Sequence, residues 1–269
     1  MKKVVLISGV SSGFGKQIAN LLSENGHIVY GTVRKDILSP GNVNVLKMDL
    51  MDHVSIKRAV DTVLEKEGKI DVLINNAGMH TGGPIENAPI EHIKLQMDTN
   101  LLGMIQLTKA VLPAMRKQGS GLIINFSSIG GLMGLPFQGF YSASKFAIEG
   151  ISEALRMEVK QFNIKVILIN PGDFHTSNSA NRRNFLAPTG TDDPYGSQFS
   201  KTLAIIEKDE SNGWAPEVLA KKMVKIINCR NPRQKYIISS FEQKLAVVLK
   251  YILPGPLFAK ILQDHYGIK

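Results

Sequence analysis

The sequence lacks several features that would each assign it to a particular class of protein. Cys229 is the only cysteine among 269 residues, so no internal disulfide can form, as is usual in a reducing compartment. No stretch approaches about 18 uninterrupted apolar residues, and a membrane-spanning helix is therefore not expected. The apolar run behind Lys2 and Lys3 is too short for a signal peptide and has no small-residue cleavage pattern. Together these absences predict a cytoplasmic protein.

The placement of charge and of histidine argues against two further classes. The chain carries 32 Lys and Arg against 23 Asp and Glu, a net charge of +9. The basic residues are scattered and no basic stripe alternates with aromatic residues, so a nucleic-acid partner is not expected. The six histidines are scattered too, and no pair has metal-ligand spacing with a cysteine or carboxylate neighbour. We expect no metal site.

What the sequence does contain is a regular alternation of apolar strand patterns and helix patterns. Strands are predicted at residues 4–7, 28–33, 43–48, 70–74, 121–126, 165–169 and 235–238. Helices are predicted from Phe14 and over 54–67, 89–117, 141–162 and 215–228. Near-continuous apolar strands between helices indicate an α/β fold, a doubly wound parallel sheet with helices on both faces. We expect one domain over residues 1–269.

A glycine-rich turn, SGVSSGFG, separates the first strand from the first helix. Gly9, Gly13 and Gly15 allow backbone dihedrals that other residues resist and let another group approach the chain closely. The turn leads into a helix N-terminus, whose unpaired amide groups and dipole favour a phosphate. Its spacing, G-x-x-x-G-x-G, differs from the G-x-G-x-x-G dinucleotide fingerprint. The turn alone therefore leaves two alternatives, a phosphate site and a merely tight turn.

Other unusual residues also follow predicted strand ends. They are Asp49, the stretch NNAG at 75–78, Ser127 with Ser128, and Pro171 with Gly172. The carboxyl ends of parallel strands meet at one edge of a sheet, where ligands bind. Tyr141 and Lys145 stand four residues apart in a predicted helix, a spacing that places both side chains on one face. We expect the residues at the strand ends to converge on one site, whereas a Tyr–Lys pair at this spacing, taken alone, is more often a pair on the protein surface.

Six motifs occur in order along the chain: SGVSSGFG at 8–15, NNAG at 75–78, NLLG at 100–103, INFSSIGG at 124–131, YSASK at 141–145 and NPGDFHT at 170–176. Through these motifs the sequence resembles the short-chain dehydrogenase/reductase family over nearly its whole length, and its overall pattern is most similar to the hydroxysteroid and retinol dehydrogenase branch. Ser8 stands where the family usually has threonine, and either hydroxyl can hydrogen-bond within the turn. The resemblance implies a Rossmann fold, oxidoreductase activity and a catalytic tetrad of Asn100, Ser128, Tyr141 and Lys145.

The chemistry of ketone reduction accounts for those four residue types, since it needs a hydride at carbon and a proton at oxygen. The resemblance makes Tyr141 the proton donor in reduction and the acceptor in oxidation. The ammonium of Lys145, with the cationic ring of the oxidised cofactor, should bring the pKa of Tyr141 down from its ordinary value of about 10. Ser128 would hold the substrate oxygen, and Asn100 would anchor a water next to Lys145. Ser127 is the alternative that a slip of one residue would select.

The resemblance also implies a nicotinamide cofactor. Strand two ends in Val33, where the family's NAD enzymes carry aspartate, and Arg34 and Lys35 follow. A forked guanidinium suits a 2′-phosphate, so NADP(H) is favoured over NAD(H), although Asp36 argues for NAD. The predicted cofactor-binding residues are Gly9, Ser11, Ser12, Gly13, Phe14, Gly15, Arg34, Asp49, Leu50, Asn76, Ala77, Gly78, Tyr141, Lys145, Pro171, Gly172 and Thr176.

The substrate is expected to be a small hydrophobic ketone or alcohol, bulky like a steroid, a retinoid or a long-chain compound. Its walls would come from 79–83, from 129–140 and from the chain after Pro171, including a lid at 173–200. The apolar tail at 242–269 could pack on the domain or on a subunit neighbour, cover the substrate, or touch a membrane surface. Packing is the preferred interpretation.

Two other functions stay open at this point. One is a 3-ketoacyl-(acyl carrier protein) reductase, whose acidic partner would suit a chain of net charge +9. The other is a nucleotide-sensing regulator without enzymatic activity, for which Tyr141 and Lys145 together would be unnecessary. The resemblance also implies a homodimer or homotetramer that associates through the helices at 89–117 and 141–162.

Overall fold

The strands of the protein form one parallel sheet. The computed structural model describes residues 2–35, 41–176, 182, 185–186 and 193–268. The strands are β1 Val4–Ser8, β2 Ile28–Val33, β3 Asn44–Lys47, β4 Val72–Asn75, β5 Gly121–Phe126, β6 Ile164–Pro171 and β7 Lys235–Ile238. Their order across the sheet is β3-β2-β1-β4-β5-β6-β7, and every neighbouring pair is parallel. The strand order reverses between β1 and β4, which is where ligands bind in such sheets.

Helices cover both faces of this sheet because successive strand residues point to opposite sides. The helices are α1 Gly13–Glu24, α2 His53–Glu67, α3 Ile90–Met97, α4 Met104–Gln118, α5 Gly139–Glu158, α6 Gly196–Ser211, α7 Pro216–Asn228, α8 Phe241–Ile252 and α9 Gly255–His265. Val5 and Ile7 of β1 pack in one apolar core with α1 and α7, whereas Val4 and Leu6 pack in the other with α2 and α4. The doubly wound Rossmann fold predicted from the sequence is thereby confirmed.

The helical region predicted at 89–117 is not one regular helix. α3 ends at Met97, a wider π-helical turn spans Asp98–Gly103, and α4 begins at Met104. A Cβ on Gly103 would lie 2.6 Å from the Cβ of Leu50, so the turn packs against the loop after β3 only because this residue is glycine. Single π-helical turns are frequent at functional sites, and this one carries Asn100.

The region predicted as a lid at 173–200 contains the beginning of a long helix. α6 starts at Gly196 and buries Phe199 and Ile206. Residues 177–181, 183–184 and 187–192 of the predicted lid lie outside the described part of the chain. Arg182, which is described, is almost fully buried, and its guanidinium donates to both carboxylate oxygens of Glu210 in α6 at 2.7 and 2.9 Å.

The C-terminal tail packs on the rest of the chain through one side only. Val247 of α8 and Phe258 of α9 are buried in a small apolar cluster with Ile129, Leu132 and Met133. The other side of α8 exposes Phe241, Leu245, Val248 and Ile252. The preferred interpretation of the tail, packing on the domain, therefore holds for one side of α8. In the part of the chain that the structure describes, no helix is long and apolar enough to cross a membrane.

Candidate active site

A cleft of about 360 Å³ opens at the carboxyl edge of the sheet. The residues predicted for the site that line it are Gly9, Ser11, Ser12, Gly13, Phe14, Arg34, Asp49, Leu50, Asn76, Ala77, Gly78, Ser128, Tyr141, Lys145, Pro171, Gly172 and Thr176. Most of them come from the ends of different strands, which the parallel sheet brings together, and Tyr141 and Lys145 join them from α5. Their individual roles stay predictions.

Two of the predicted site residues, Gly15 and Asn100, are not among the residues that line the cleft. A Cβ on Gly15 would lie 2.0 Å from the carbonyl oxygen of Gly9, so this glycine lets α1 pack directly against the turn. Asn100 is buried, and its side chain accepts from the amide of Met79 at 2.7 Å and donates to the hydroxyl of Ser144 at 3.1 Å. Gly15 therefore supports the glycine-rich turn, and Asn100 supports the segment at Met79, without either residue lining the cleft.

The glycine-rich turn has room and donors for a phosphate. Gly9 and Gly13 have φ angles of 75° and 56°, the left-handed region that favours glycine. Ser12 stands at the N-cap of α1 without a capping hydrogen bond from its side chain, and the first turn of α1 contains no acidic residue. No side-chain cap or acidic residue in the first turn thus offsets the positive end of the α1 dipole at the cleft, which fits the pyrophosphate of a dinucleotide.

Side chains from the NNAG motif fix this turn to the neighbouring strand. The hydroxyl of Ser8 accepts from the backbone amides of Asn76 and Ala77, each at 3.0 Å. The side-chain amide of Asn76 donates in return to the carbonyl oxygens of Ser8 and Gly9 at 3.0 and 2.9 Å. The hydroxyl of Ser8 therefore bonds across to the NNAG motif and to the carbonyl oxygen of Ile74 in β4.

The end of strand two places a cation at the cleft. Val33 is buried, whereas Arg34 is exposed and lines the cleft. Lys35 is exposed as well, and Asp36, the residue that argues for NAD, lies outside the described residues. Arg34 thus stands where a guanidinium could meet a 2′-phosphate.

Ser128 faces Tyr141, and its neighbour Ser127 does not. A hydrogen bond joins Ser128 to Tyr141, and the hydroxyl of Ser128 also accepts from the amide of Gly130 at 3.0 Å. The hydroxyl of Ser127 instead donates to the carbonyl oxygen of Lys145 at 3.4 Å. Of the two serines, the geometry thus favours Ser128 as the one that could hold a substrate oxygen.

Burial dominates the titration of Tyr141 and Lys145. The sequence predicts that Lys145 helps to bring the pKa of Tyr141 down, but burial raises that pKa, and the hydrogen bond with Ser128 and the charge of Arg182 oppose burial only in part. Burial also lowers the pKa of Lys145 to about 8, against the charge of Glu149. The ammonium of Lys145 is held by the carbonyl oxygen of Phe126 at 2.9 Å and lies 5.7 Å from the Tyr141 ring centroid. Lys145 is therefore poised to exchange a proton near neutral pH.

His80 stacks on the ring of Tyr141, a contact that sequence reasoning missed. The two ring centroids are 3.9 Å apart and the planes differ by 18°. Burial, and then the charges of Arg182 and Lys145, hold the pKa of His80 well below its ordinary value, so the imidazole is neutral. Position 80 falls within the predicted substrate wall at 79–83, but a stack between residues 61 positions apart leaves no periodic signal in the sequence.

The cleft also has an acidic wall, formed by Asp173, Asp209 and Glu210, which sequence reasoning missed. Asp173 directly follows the Pro171-Gly172 motif, so its neighbourhood could have been noticed. Asp209 and Glu210 reach the cleft only because α6 folds back over it, which no motif indicates. In the described residues, no group of three His, Cys, Asp or Glu side chains could hold a metal ion.

The likeness of the chain to known proteins decides its family. The family model described as short chain dehydrogenase matches residues 3–187. The chain belongs to this family. It is 47% identical over 267 residues to a 3-ketodihydrosphingosine reductase of Bacteroides thetaiotaomicron, covering 99% of both chains. It is 29% identical over 272 residues to the NADPH-dependent 3-dehydrocapnine reductase of Ornithobacterium rhinotracheale, covering 96% of this chain and 95% of the relative.

Solved structures agree with this assignment. A short-chain dehydrogenase from Streptomyces avermitilis superposes with a TM-score of 0.83 at 27% identity, and each chain is fully covered. ElxO, solved with NADP bound, superposes with a TM-score of 0.71 at 26% identity, covering 89% of this chain and 97% of that one. The protein is therefore an oxidoreductase of the short-chain dehydrogenase family that uses a nicotinamide cofactor, which removes the alternative of a non-enzymatic regulator.

Proposed function

We propose that the protein is an NADPH-dependent reductase of long-chain 2-amino-3-ketones such as 3-ketodihydrosphingosine. The observation that carries the proposal is that Ser128, Tyr141 and Lys145 line one cleft in a chain whose relative, matched over 99% of both lengths, is named for this reduction. The second relative is named for the NADPH-dependent reduction of 3-dehydrocapnine.

The three side chains suit the transfer of a proton to a ketone oxygen. The nicotinamide supplies the hydride to the carbonyl carbon when it is bound. Tyr141 donates its hydroxyl proton to the carbonyl oxygen, so that the C=O group becomes CH–OH, and the hydroxyl of Ser128, which is hydrogen-bonded to Tyr141, would hold that oxygen as its charge develops. Lys145, with its pKa lowered to about 8, can return a proton toward Tyr141 without a large energetic cost.

The cofactor would be held by the turn at the N-terminus of α1 and by the ends of β2, β3 and β4. The uncapped amides behind Ser12 would bind the pyrophosphate, and Asp49 would meet the adenine end. Arg34 would bind the 2′-phosphate that distinguishes NADP from NAD. The preference for NADPH is supported by Arg34 at the cleft and by the named cofactor of the second relative.

An apolar chain would find matching walls in the same cleft. The apolar lining residues near Tyr141 and on α6 include Met79, Leu95, Ile129, Leu135, Phe185 and Ile206. Burying a chain of CH₂ groups there would contribute roughly 0.8 kcal/mol for each group removed from water. A long alkyl ketone therefore fits these walls.

The test is a substrate panel with the purified protein, followed by NADPH absorbance and by mass spectrometry of the product. The panel contains 3-ketodihydrosphingosine, a ketosteroid, retinal and a 3-ketoacyl thioester, and Tyr141→Phe serves as the control. We expect turnover of the amino ketone to the 3-hydroxy compound, with kcat/KM above that of the other compounds. Selective turnover of the 3-ketoacyl thioester would instead establish the acyl-carrier-protein alternative.

A further inference from the structure

The acidic wall is unexpected beside a cleft that suits an apolar chain. Phe185 and Ile206 line the same cleft as its three carboxylates. A carboxylate among apolar groups is costly unless a cation or hydrogen-bond donors compensate it. A carboxylate that has no such partner in the protein could pair with a positive charge on a molecule bound in the cleft.

Two of the three carboxylates have a basic side chain as a partner. Glu210 is bonded through both oxygens to the guanidinium of Arg182. The carboxylate of Asp209 lies 3.1 Å from the ring nitrogen of His265. Arg182 is almost fully buried, so it is committed to Glu210 rather than available to the rest of the wall.

Asp173 is different, because in the described part of the chain it forms no ion pair. Within the described residues, its carboxylate accepts one hydrogen bond, from the neutral side-chain amide of Gln243 at 2.5 Å. Asp173 is also one of the residues that line the cleft. The Glu210 and Asp209 carboxylates beside it add negative potential at the same place. This part of the cleft is therefore complementary to a positive charge on a bound molecule.

The acidic wall is also close to the place where a ketone would react. The charges of Glu210 and Asp173 act on the hydroxyl of Tyr141. In a 2-amino-3-ketone, the amino group is on the carbon next to the carbonyl carbon. When the carbonyl oxygen contacts Tyr141 and Ser128, the ammonium must therefore lie close to these two residues. It can then reach the acidic wall, which lines the same cleft.

We infer that Asp173 binds the protonated amino group of the substrate and thereby selects 2-amino ketones over neutral ketones of the same length. The inference rests on the proposed function and adds to it the residue that determines specificity. Asp173 also orients the substrate, because a fixed ammonium and a fixed carbonyl oxygen leave one direction for the alkyl chain. The alkyl chain then extends along the apolar walls.

The test compares Asp173→Asn with wild type on two ketones, 3-ketodihydrosphingosine and its 2-deamino analogue of equal length. Wild type should prefer the amino ketone, and Asp173→Asn should lower kcat/KM for it by about 10- to 100-fold, the range for a hydrogen bond between charged groups. The loss should appear mainly in KM, and the deamino ketone should be nearly unaffected. Asp264→Asn, which removes an exposed carboxylate from α9, should change neither.

A second measurement needs only the wild type and so does not depend on how the variant folds. A long-chain primary amine should inhibit more strongly than the alcohol of the same length. Equal inhibition, or an equal loss on both ketones in Asp173→Asn, would overturn the inference and leave the reductase function standing. Failure of wild type to reduce any long-chain ketone would instead overturn the proposed function.

Discussion

Replacing Asp173 by asparagine should make the folded protein more stable at neutral pH, although Asp173 lines the cleft. Burial, followed by the charges of Glu210 and Asp209, raises the pKa of Asp173 from its ordinary value of 3.8 to about 6. The folded state therefore holds this proton more tightly than the unfolded chain does. Stability from that proton is fully present below pH 3.8 and is lost as the pH rises through about 6.

The size of the effect follows from the difference between those two pKa values. Each pKa unit corresponds to about 1.4 kcal/mol, so the upper limit is about 3 kcal/mol. Asp173 is partly exposed to the cleft, and solvent screening should reduce this to about 1–2 kcal/mol. The oxygen of an asparagine side chain can still accept from Gln243, so the substitution keeps the one polar contact of the carboxylate.

The assay is denaturant unfolding of wild type, Asp173→Asn and the control Asp264→Asn over a range of pH. The free energy of unfolding of Asp173→Asn should exceed that of wild type above about pH 7, and the two should converge toward about pH 4. A variant that is no more stable than wild type at high pH, or a gain that does not shrink on acidification, would refute this reasoning.

Three further outcomes are expected. Arg34→Ala should reduce the preference for NADPH over NADH by roughly 5- to 150-fold, corresponding to about 1–3 kcal/mol of net interaction with a 2′-phosphate. An unchanged ratio of the kcat/KM values for the two cofactors would show that Arg34 does not cause the preference. Ser128→Ala should lower kcat by about 100-fold or more, whereas Ser127→Ala should lower it little, and the reverse order in steady-state kinetics would contradict the geometry. Phe146 and Met157 are exposed on α5 and should be covered by a neighbouring subunit in a dimer or tetramer. Replacing both with lysine should therefore shift the mass measured by light scattering to that of a monomer, and an unchanged oligomer mass would contradict this prediction.

The position of the cleft could be predicted from the sequence because parallel strands carry their ends to one edge. Asp49, the NNAG motif, Ser128 and Pro171 are far apart along the chain, yet each lies at or just after the end of a strand, and the topology alone brings them together. The strand patterns were readable because strands covered on both faces are continuously apolar. Element ends were less regular, as β6 shows by extending from Ile164 to Pro171.

What could not be predicted depends on contacts between distant residues. At the π-helical turn that carries Asn100, Gly103 packs against Leu50, and local periodicity does not contain that contact. The raised pKa of Tyr141 is a matter of burial, which exceeds the effect expected from Lys145 at the spacing of one helical turn. The acidic wall joins residues from two distant parts of the chain.

The most direct test of the central claim is the rate of reduction of 3-ketodihydrosphingosine by Tyr141→Phe with NADPH. This variant keeps the ring that stacks on His80 and removes only the hydroxyl that would donate the proton. We expect kcat to fall by at least about 100-fold, while NADPH affinity measured by fluorescence titration stays close to that of wild type. Near-normal turnover by Tyr141→Phe would contradict the account.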